Sequence, residues 1–117
     1  MPILEKSLTN VIRRELRSLH IPPSLLGYHY LLHVVKGVVL EPLRIRGLTK
    51  DLYREIARLH ATTPGAVERD IRTAVNVCWE RGGKEKLDEM AVHHLIERPF
   101  AKEFIAIVAE HVAGLKE

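Results

Sequence analysis

LTKDLYREIARLHATTPGAVERDIRTAVNVCWERG, residues 48–82, carries two amphipathic helical patterns separated by a break of a few residues. In the first pattern Thr49 is placed to cap a helix whose apolar positions are Leu52, Tyr53, Ile56, Ala57 and Leu59. His60, Ala61 and Thr62 interrupt the periodicity. Thr63 followed by Pro64 then opens a second helix, because a threonine hydroxyl satisfies free amides and proline suits the first helical turn. That helix is expected from Pro64 to about Arg81, where Gly82 and Gly83 end it in the left-handed conformation glycine adopts readily.

At about 100° per residue, Val67, Ile71, Ala74, Val75 and Cys78 gather on one side of the second helix, the side that would pack on a core. Gly65, Arg69, Arg72 and Asn76 project the other way, with Glu68 and Thr73 flanking them. Those side chains match what a groove-reading helix needs. Arginine donates two hydrogen bonds to guanine O6 and N7, asparagine pairs with adenine, glutamate accepts from cytosine N4, and a glycine lets backbone approach phosphate. Asp70, near the same surface, works against close phosphate approach. Two helices joined by a short turn are also the outline of many helical hairpins that bind nothing, so a solvated charged face is the competing reading.

Outward from this stretch the chain remains helical. Leu8, Val11, Ile12, Leu16 and Leu19 form one stripe of a first helix, Ile3 to Leu19, that Pro22 and Pro23 stop. A second, largely buried helix opens at Pro23–Ser24 and runs through Tyr28, Leu31, Leu32 and Val35 to about Leu40. Gly27 and Gly37 within it imply either tight packing or a weak helix end. Leu43 to Gly47 reads as a connector with a basic surface from Arg44 and Arg46. Lys84 to Val92 makes a short fifth helix, and Pro99 to Leu115 a sixth with Phe104, Ile107, Val108, Val112 and Leu115 as its apolar stripe. The expected fold is all-α: one six-helix domain over residues 1–117 containing a helix-turn-helix at about 48–82, winged-helix-like but without a clear wing.

Composition narrows the function classes. With 117 residues, 46% of them hydrophobic, the chain has the size of one domain with one core. Eighteen Lys and Arg against 15 Asp and Glu leave a net charge of +3, compatible with a polyanionic partner without requiring one. The single Cys78 cannot form an internal disulfide, and neither a signal peptide nor a run of about 18 uncharged apolar residues occurs, so a soluble cytoplasmic protein is expected, with no membrane partner. No phosphate-binding glycine loop, catalytic carboxylate pair or nucleophile motif stands out, so no enzyme and no cofactor is expected.

His29 and His33 are four residues apart on one helix, but no cysteine or carboxylate nearby in sequence completes a metal set. His93 and His94 point about 100° apart on a helix and read as surface residues. Glu85, Asp88 and Glu89 follow no calcium-loop pattern and read as a solvated face. Cys78 reads as a buried inert thiol and Trp79 as a packing anchor.

At residues 48–82 the sequence resembles the C-terminal effector domain of the sporulation-initiation response regulator, stage 0 sporulation protein A. Thr49-Lys50, Leu52-Tyr53, Ile56-Ala57, Thr62-Thr63, Val67-Glu68-Arg69, Ile71-Arg72, Ala74, and Trp79 with Arg81-Gly82 carry the match. Ile21-Pro22, Gly27-Tyr28, Tyr30-Leu31, and Pro99 with Glu103-Phe104-Ile105-Ala106 extend it in order, from about Leu8 to Val112. The resemblance implies a bacterial six-helix domain that binds promoter boxes of the TGTCGAA type, often in tandem, and regulates transcription. Its implied partners are double-stranded DNA, an RNA polymerase sigma factor, and a second copy on tandem boxes.

Carried over by position, Glu68, Arg69 and Arg72 match recognition-helix residues, Lys50 a backbone-contacting position, and Arg98 stands near a lysine before the last helix. The full DNA-facing set is Lys50, Gly65, Ala66, Glu68, Arg69, Arg72, Thr73, Asn76 and Arg98, with Arg46 as a further phosphate candidate. The sequence departs from the family pattern at Ala66, where a basic residue is expected, at Asp70, a small one, and at Thr73, a histidine. Arg54 stands for a proline, and Phe100 and Ala101 for polar residues. The family's phosphorylatable receiver domain is not among these residues, so the chain is expected to be an excised effector domain or a stand-alone relative. The rival reading is an all-α interaction or dimerisation module in which the last helix, with Phe100, Phe104 and Ile107, docks a partner without DNA.

Overall fold

The computed structural model describes residues 5–115. Six α-helices follow in order: α1 Glu5–Ser18, α2 Leu26–Leu40, α3 Leu52–Leu59, α4 Pro64–Glu80, α5 Lys84–Ala91 and α6 Ala101–Leu115. A 3-10 segment, Pro42–Gly47, joins α2 to the turn before α3. No strand, and hence no wing, occurs among the described residues. The expected start of the first helix at Ile3 lies outside them.

The α2 helix organises the core. Its sequence, LGYHYLLHVVKGVVL, is apolar around most of its circumference, and Tyr28, Tyr30, Leu31, Val34, Val35, Val38 and Val39 are all buried. An all-round apolar helix has to be enclosed by others. Here α4 and α6 take its longest flanks, with α1 and α3 alongside. Leu8, Ile12, Leu16 and Leu19 from α1 and Phe104, Ile105, Val108 and Val112 from α6 close the same cluster. Each such side chain contributes about 1.5–3 kcal/mol relative to exposure.

Both interior glycines of α2 are there for close packing. A Cβ on Gly27 would lie 2.1 Å from the Asp70 carbonyl oxygen of α4, and one on Gly37 would lie 2.6 Å from Leu52 Cδ2 of α3. The two helices of the helix-turn-helix are therefore seated on α2 at the two places where α2 has no side chain.

Four helices stop by one device. His20, Ala61, Gly82 and Val92 have φ of 64°, 51°, 91° and 61°, and each is followed by an amide bonded to a carbonyl five residues back. Those bonds are Ile21 N–H to Leu16 O, Thr62 to Ala57, Gly83 to Cys78 and His93 to Asp88. This is the Schellman closure, in which a left-handed residue lets the chain turn while the last carbonyls stay satisfied. Gly82 adopts it freely, whereas Ala61, at the turn of the helix-turn-helix, bears the steric cost of a Cβ, about 1 kcal/mol.

Two helix openings differ from the sequence reading. Thr49 does not cap α3; residues 48–51 form a turn, α3 starts at Leu52, and the flanking Asp51 gives its carboxylate to Arg44 instead. Pro23 and Ser24 lie in a turn before α2, which starts at Leu26 without a side-chain cap.

Candidate nucleic-acid interface

The outer face of α4 is built from its first turn. Thr63 has extended backbone, φ −111° and ψ 155°, and its hydroxyl accepts the Ala66 amide at 3.1 Å, so the helix begins where Thr-Pro placed it. Val67, Ile71, Ala74, Val75 and Cys78 are buried against the core, as their spacing requires. Burial pushes the Cys78 thiol up to about 12, which leaves it inert.

The opposite stripe presents Gly65, Glu68, Arg69, Arg72 and Thr73 to solvent. A Cβ on Gly65 would meet nothing within 4 Å, so the surface there is open to close approach. The Arg69 and Arg72 side chains are 66% and 58% exposed, and their carboxylate neighbours are distant, Asp70 at 3.7 Å and Glu68 at 3.8 Å. Pairs that loose and exposed contribute little, so both guanidinium groups are free to exchange them for a ligand. The Thr73 hydroxyl donates to the Arg69 carbonyl at 3.1 Å, which leaves its oxygen as an acceptor. Ala66 is half-buried, with its amide engaged by the cap.

Asn76 departs from the stripe. The helical wheel turns it outward, yet it is half-buried and its Oδ1 is buried with no hydrogen-bond partner. The outward-facing stripe therefore extends from Gly65 to Thr73 and not through Asn76.

Lys50 is exposed in the turn before α3 and lines an open cleft of about 550 Å3. Arg46, Tyr53, Glu68, Arg72, Phe100 and Lys102 line the same cleft, which joins the turn before α3 to α4 and to the start of α6. Tyr53 is buried, and its hydroxyl is pushed up to about 12 by burial and by the nearby Glu68 carboxylate. Arg98 is exposed in the segment before α6 but does not line the cleft. Lys102 is a cleft residue that the sequence reading missed; it stands one position past the opening of α6 and carried no motif.

The basic connector divides in two. Arg46 is exposed, but Arg44 turns inward: its Nε and Nη2 donate to Asp51 at 2.9 and 2.8 Å, and Nη2 also reaches Glu55 at 3.3 Å. Glu55 bonds His33 Nε2 of α2 at 2.7 Å. The Asp51 hydrogen bond raises the Arg44 guanidinium further, Arg44 in turn lowers Asp51, and the His33 contact followed by Arg44 lowers Glu55. This network ties the 3-10 segment, the start of α3 and α2 together, and His33 of the His29/His33 pair belongs to it. His33 meets a carboxylate distant in sequence, while His29 Nε2 bonds the Pro23 carbonyl at 2.8 Å.

Asp88 also corrects the sequence reading, because it is not part of a solvated face. It is 9% exposed and bonds Lys84 Nζ at 2.7 Å, the Leu95 amide at 2.8 Å and His94 Nδ1 at 3.2 Å. These bonds, Lys84 first and Leu95 next, hold its carboxyl far below the usual range and pin the segment leading to Phe100. Trp79 is half-buried with Lys84 Nζ 5.5 Å from its ring centre, a packing position.

An all-helical domain with a helix-turn-helix seated on a buried helix, its second helix offering arginines outward, has the arrangement of the helix-turn-helix class. The family model for the sporulation initiation factor Spo0A C terminal matches residues 12–112, and the chain belongs to that family. The family is a DNA-binding effector domain of a transcription regulator and not an enzyme family. No helix among the described residues is long and apolar enough to cross a membrane.

Proposed function

We propose that this domain is a sequence-specific regulator of transcription that lays α4 in the major groove of double-stranded promoter DNA. Arg69 and Arg72 read guanine edges bidentately, Glu68 and Thr73 accept hydrogen bonds from bases, and Gly65 allows the α4 amino end to approach phosphate. Lys50 and Arg98 pair with phosphates and set the register. The observation that carries the reading is the exposed, loosely paired state of Arg69 and Arg72 on one face of a helix whose other face is fully buried. Asn76 keeps a smaller role at the margin of that face, because its Oδ1 is enclosed. Tandem boxes, a second copy beside the first, a sigma-factor contact and a cytoplasmic location belong to the same proposal, through family membership.

The test is fluorescence anisotropy on a duplex with two tandem TGTCGAA-type boxes and on a scrambled duplex, across a salt series. Tighter binding to the boxes, with Lys50→Ala weakening both duplexes alike, supports the proposal. Equal binding to both duplexes, unchanged by Arg69→Ala and Arg72→Ala, refutes it.

A further inference from the structure

The cleft beside α4 has a composition the recognition helix alone does not explain. Arg46, Lys50, Arg72 and Lys102 converge on it from four separate parts of the chain, against one carboxylate, Glu68. Arg46, Lys50 and Lys102 have no carboxylate within ion-pair distance among the described residues. Like charges brought together without counter-charges raise the energy of the free domain, and a polyanion seated between them relieves it. Phe100 stands at the rim of the same cleft with 86% of its surface exposed. The segment leading to Phe100 is held at both ends, by the Leu95 amide on Asp88 at 2.8 Å and by buried Pro99 with the Phe100 carbonyl accepting the Phe104 amide at 2.9 Å.

We propose that this cleft seats one DNA strand beside the groove that α4 enters, with Arg46 and Lys102 on successive phosphates and the Phe100 ring packed on the deoxyribose between them. The inference rests on the DNA-binding reading above and deepens it. Continuity favours DNA over another partner: Glu68 and Arg72 belong both to the cleft and to the outward face of α4, so a duplex on that face already lies along the cleft. Two exposed contact types then differ in their salt response. A lysine on phosphate releases counterions, whereas a ring on a sugar releases none.

The experiment is anisotropy over a salt series with Lys102→Ala, Arg46→Ala and Phe100→Ala, paired with hydroxyl-radical footprinting on a duplex carrying a single box. All three side chains are on the surface, and circular dichroism verifies the fold. Lys102→Ala and Arg46→Ala are expected to weaken binding roughly three- to tenfold and to lower the salt slope by about 0.9 each. Phe100→Ala is expected to weaken binding at unchanged slope, and both Phe100→Ala and Lys102→Ala to lose protection of the same sugars flanking the box. Wild-type affinity, slope and footprint in Lys102→Ala and Phe100→Ala overturn the cleft proposal while box preference stands. Wild-type binding to the single box together with lost cooperativity on tandem boxes also overturns it, by assigning Phe100 to a second copy. Absence of box preference in the wild type overturns instead the reading on which the proposal rests.

Discussion

Replacing Gly27 by alanine tests how the fold positions the recognition helix. The new Cβ would lie 2.1 Å from the Asp70 carbonyl oxygen and 2.8 Å from Ala74 Cβ, both on α4. Ordinary contact begins near 3.4 Å, so α4 has to retreat by more than about 1 Å, and the obstructing atom is backbone that no rotamer change moves aside. Overpacking of this kind costs about 1–3 kcal/mol, here at the upper end, and the better helix propensity of alanine returns less than about 1 kcal/mol. A net loss of about 2 kcal/mol lowers the thermal midpoint by roughly 8–12 °C in a domain of this size. Gly114→Ala is the control, because nothing lies within 4 Å of a Cβ there and propensity alone acts, giving an unchanged or slightly raised midpoint. The assay is thermal melting followed by circular dichroism, with box-duplex anisotropy at 20 °C below the lower midpoint. A Gly27→Ala midpoint within about 2 °C of wild type, with undiminished box affinity, refutes the claim that α2 sets the seat of α4.

Arg44→Ala leaves Asp51 and Glu55 without their guanidinium; partial exposure of both carboxylates holds the loss of stability, read by urea melting, to about 1 kcal/mol, and box affinity falls because the turn bearing Lys50 loosens. The Asp88 carboxyl lies below its ordinary value of 3.8 when folded, so its contribution is present above that pH and is lost as pH falls through the folded value; Asp88→Asn is expected to flatten the acid limb of the stability profile measured by urea melts at stepped pH. Ala61→Gly removes the Cβ from a residue at φ 51°, and the thermal midpoint should rise, the relief of about 1 kcal/mol being partly offset by the freer unfolded chain. The buried Cys78 thiol should react with a thiol reagent only at the rate of opening of the domain, so labelling in native buffer is slow and accelerates with urea.

Features set by local periodicity were legible in the sequence. The Thr63–Pro64 opening, the buried stripe of α4 and the left-handed stop at Gly82 each depend on residues within a turn or two of one another. Arg69 and Arg72 faced outward as their spacing required. What was not legible depends on residues far apart in the chain. Thr49 lost the capping role because residues 48–51 form a turn and α3 begins only at Leu52, and Arg44 left the basic surface because it pairs with Asp51 seven residues on. Asp88 looked solvated because its partner amide, Leu95, lies beyond the end of α5. Asn76 looked exposed because a helical wheel carries no information about what encloses the far end of α4. Lys102 gained meaning only once the start of α6 lay beside Lys50, and Phe100, which the sequence offered as part of a partner-docking helix, took its place at the cleft in the same way. The resemblance rested on buried as well as exposed residues, Gly27-Tyr28 among them; that Gly27 meets the backbone of α4 at Asp70 is a packing relation between distant residues, which local spacing does not give.

The most direct test of the central claim is a double-mutant cycle between Arg72 and the N7 atom of each box guanine. Box duplexes carrying 7-deazaguanine, one position at a time, are titrated by anisotropy with the wild-type domain and with Arg72→Ala. At one guanine the account requires the base change to cost about 1–3 kcal/mol with wild type and almost nothing further with Arg72→Ala, since each change removes the same major-groove bond. Losses that add at every guanine would contradict a base-reading α4.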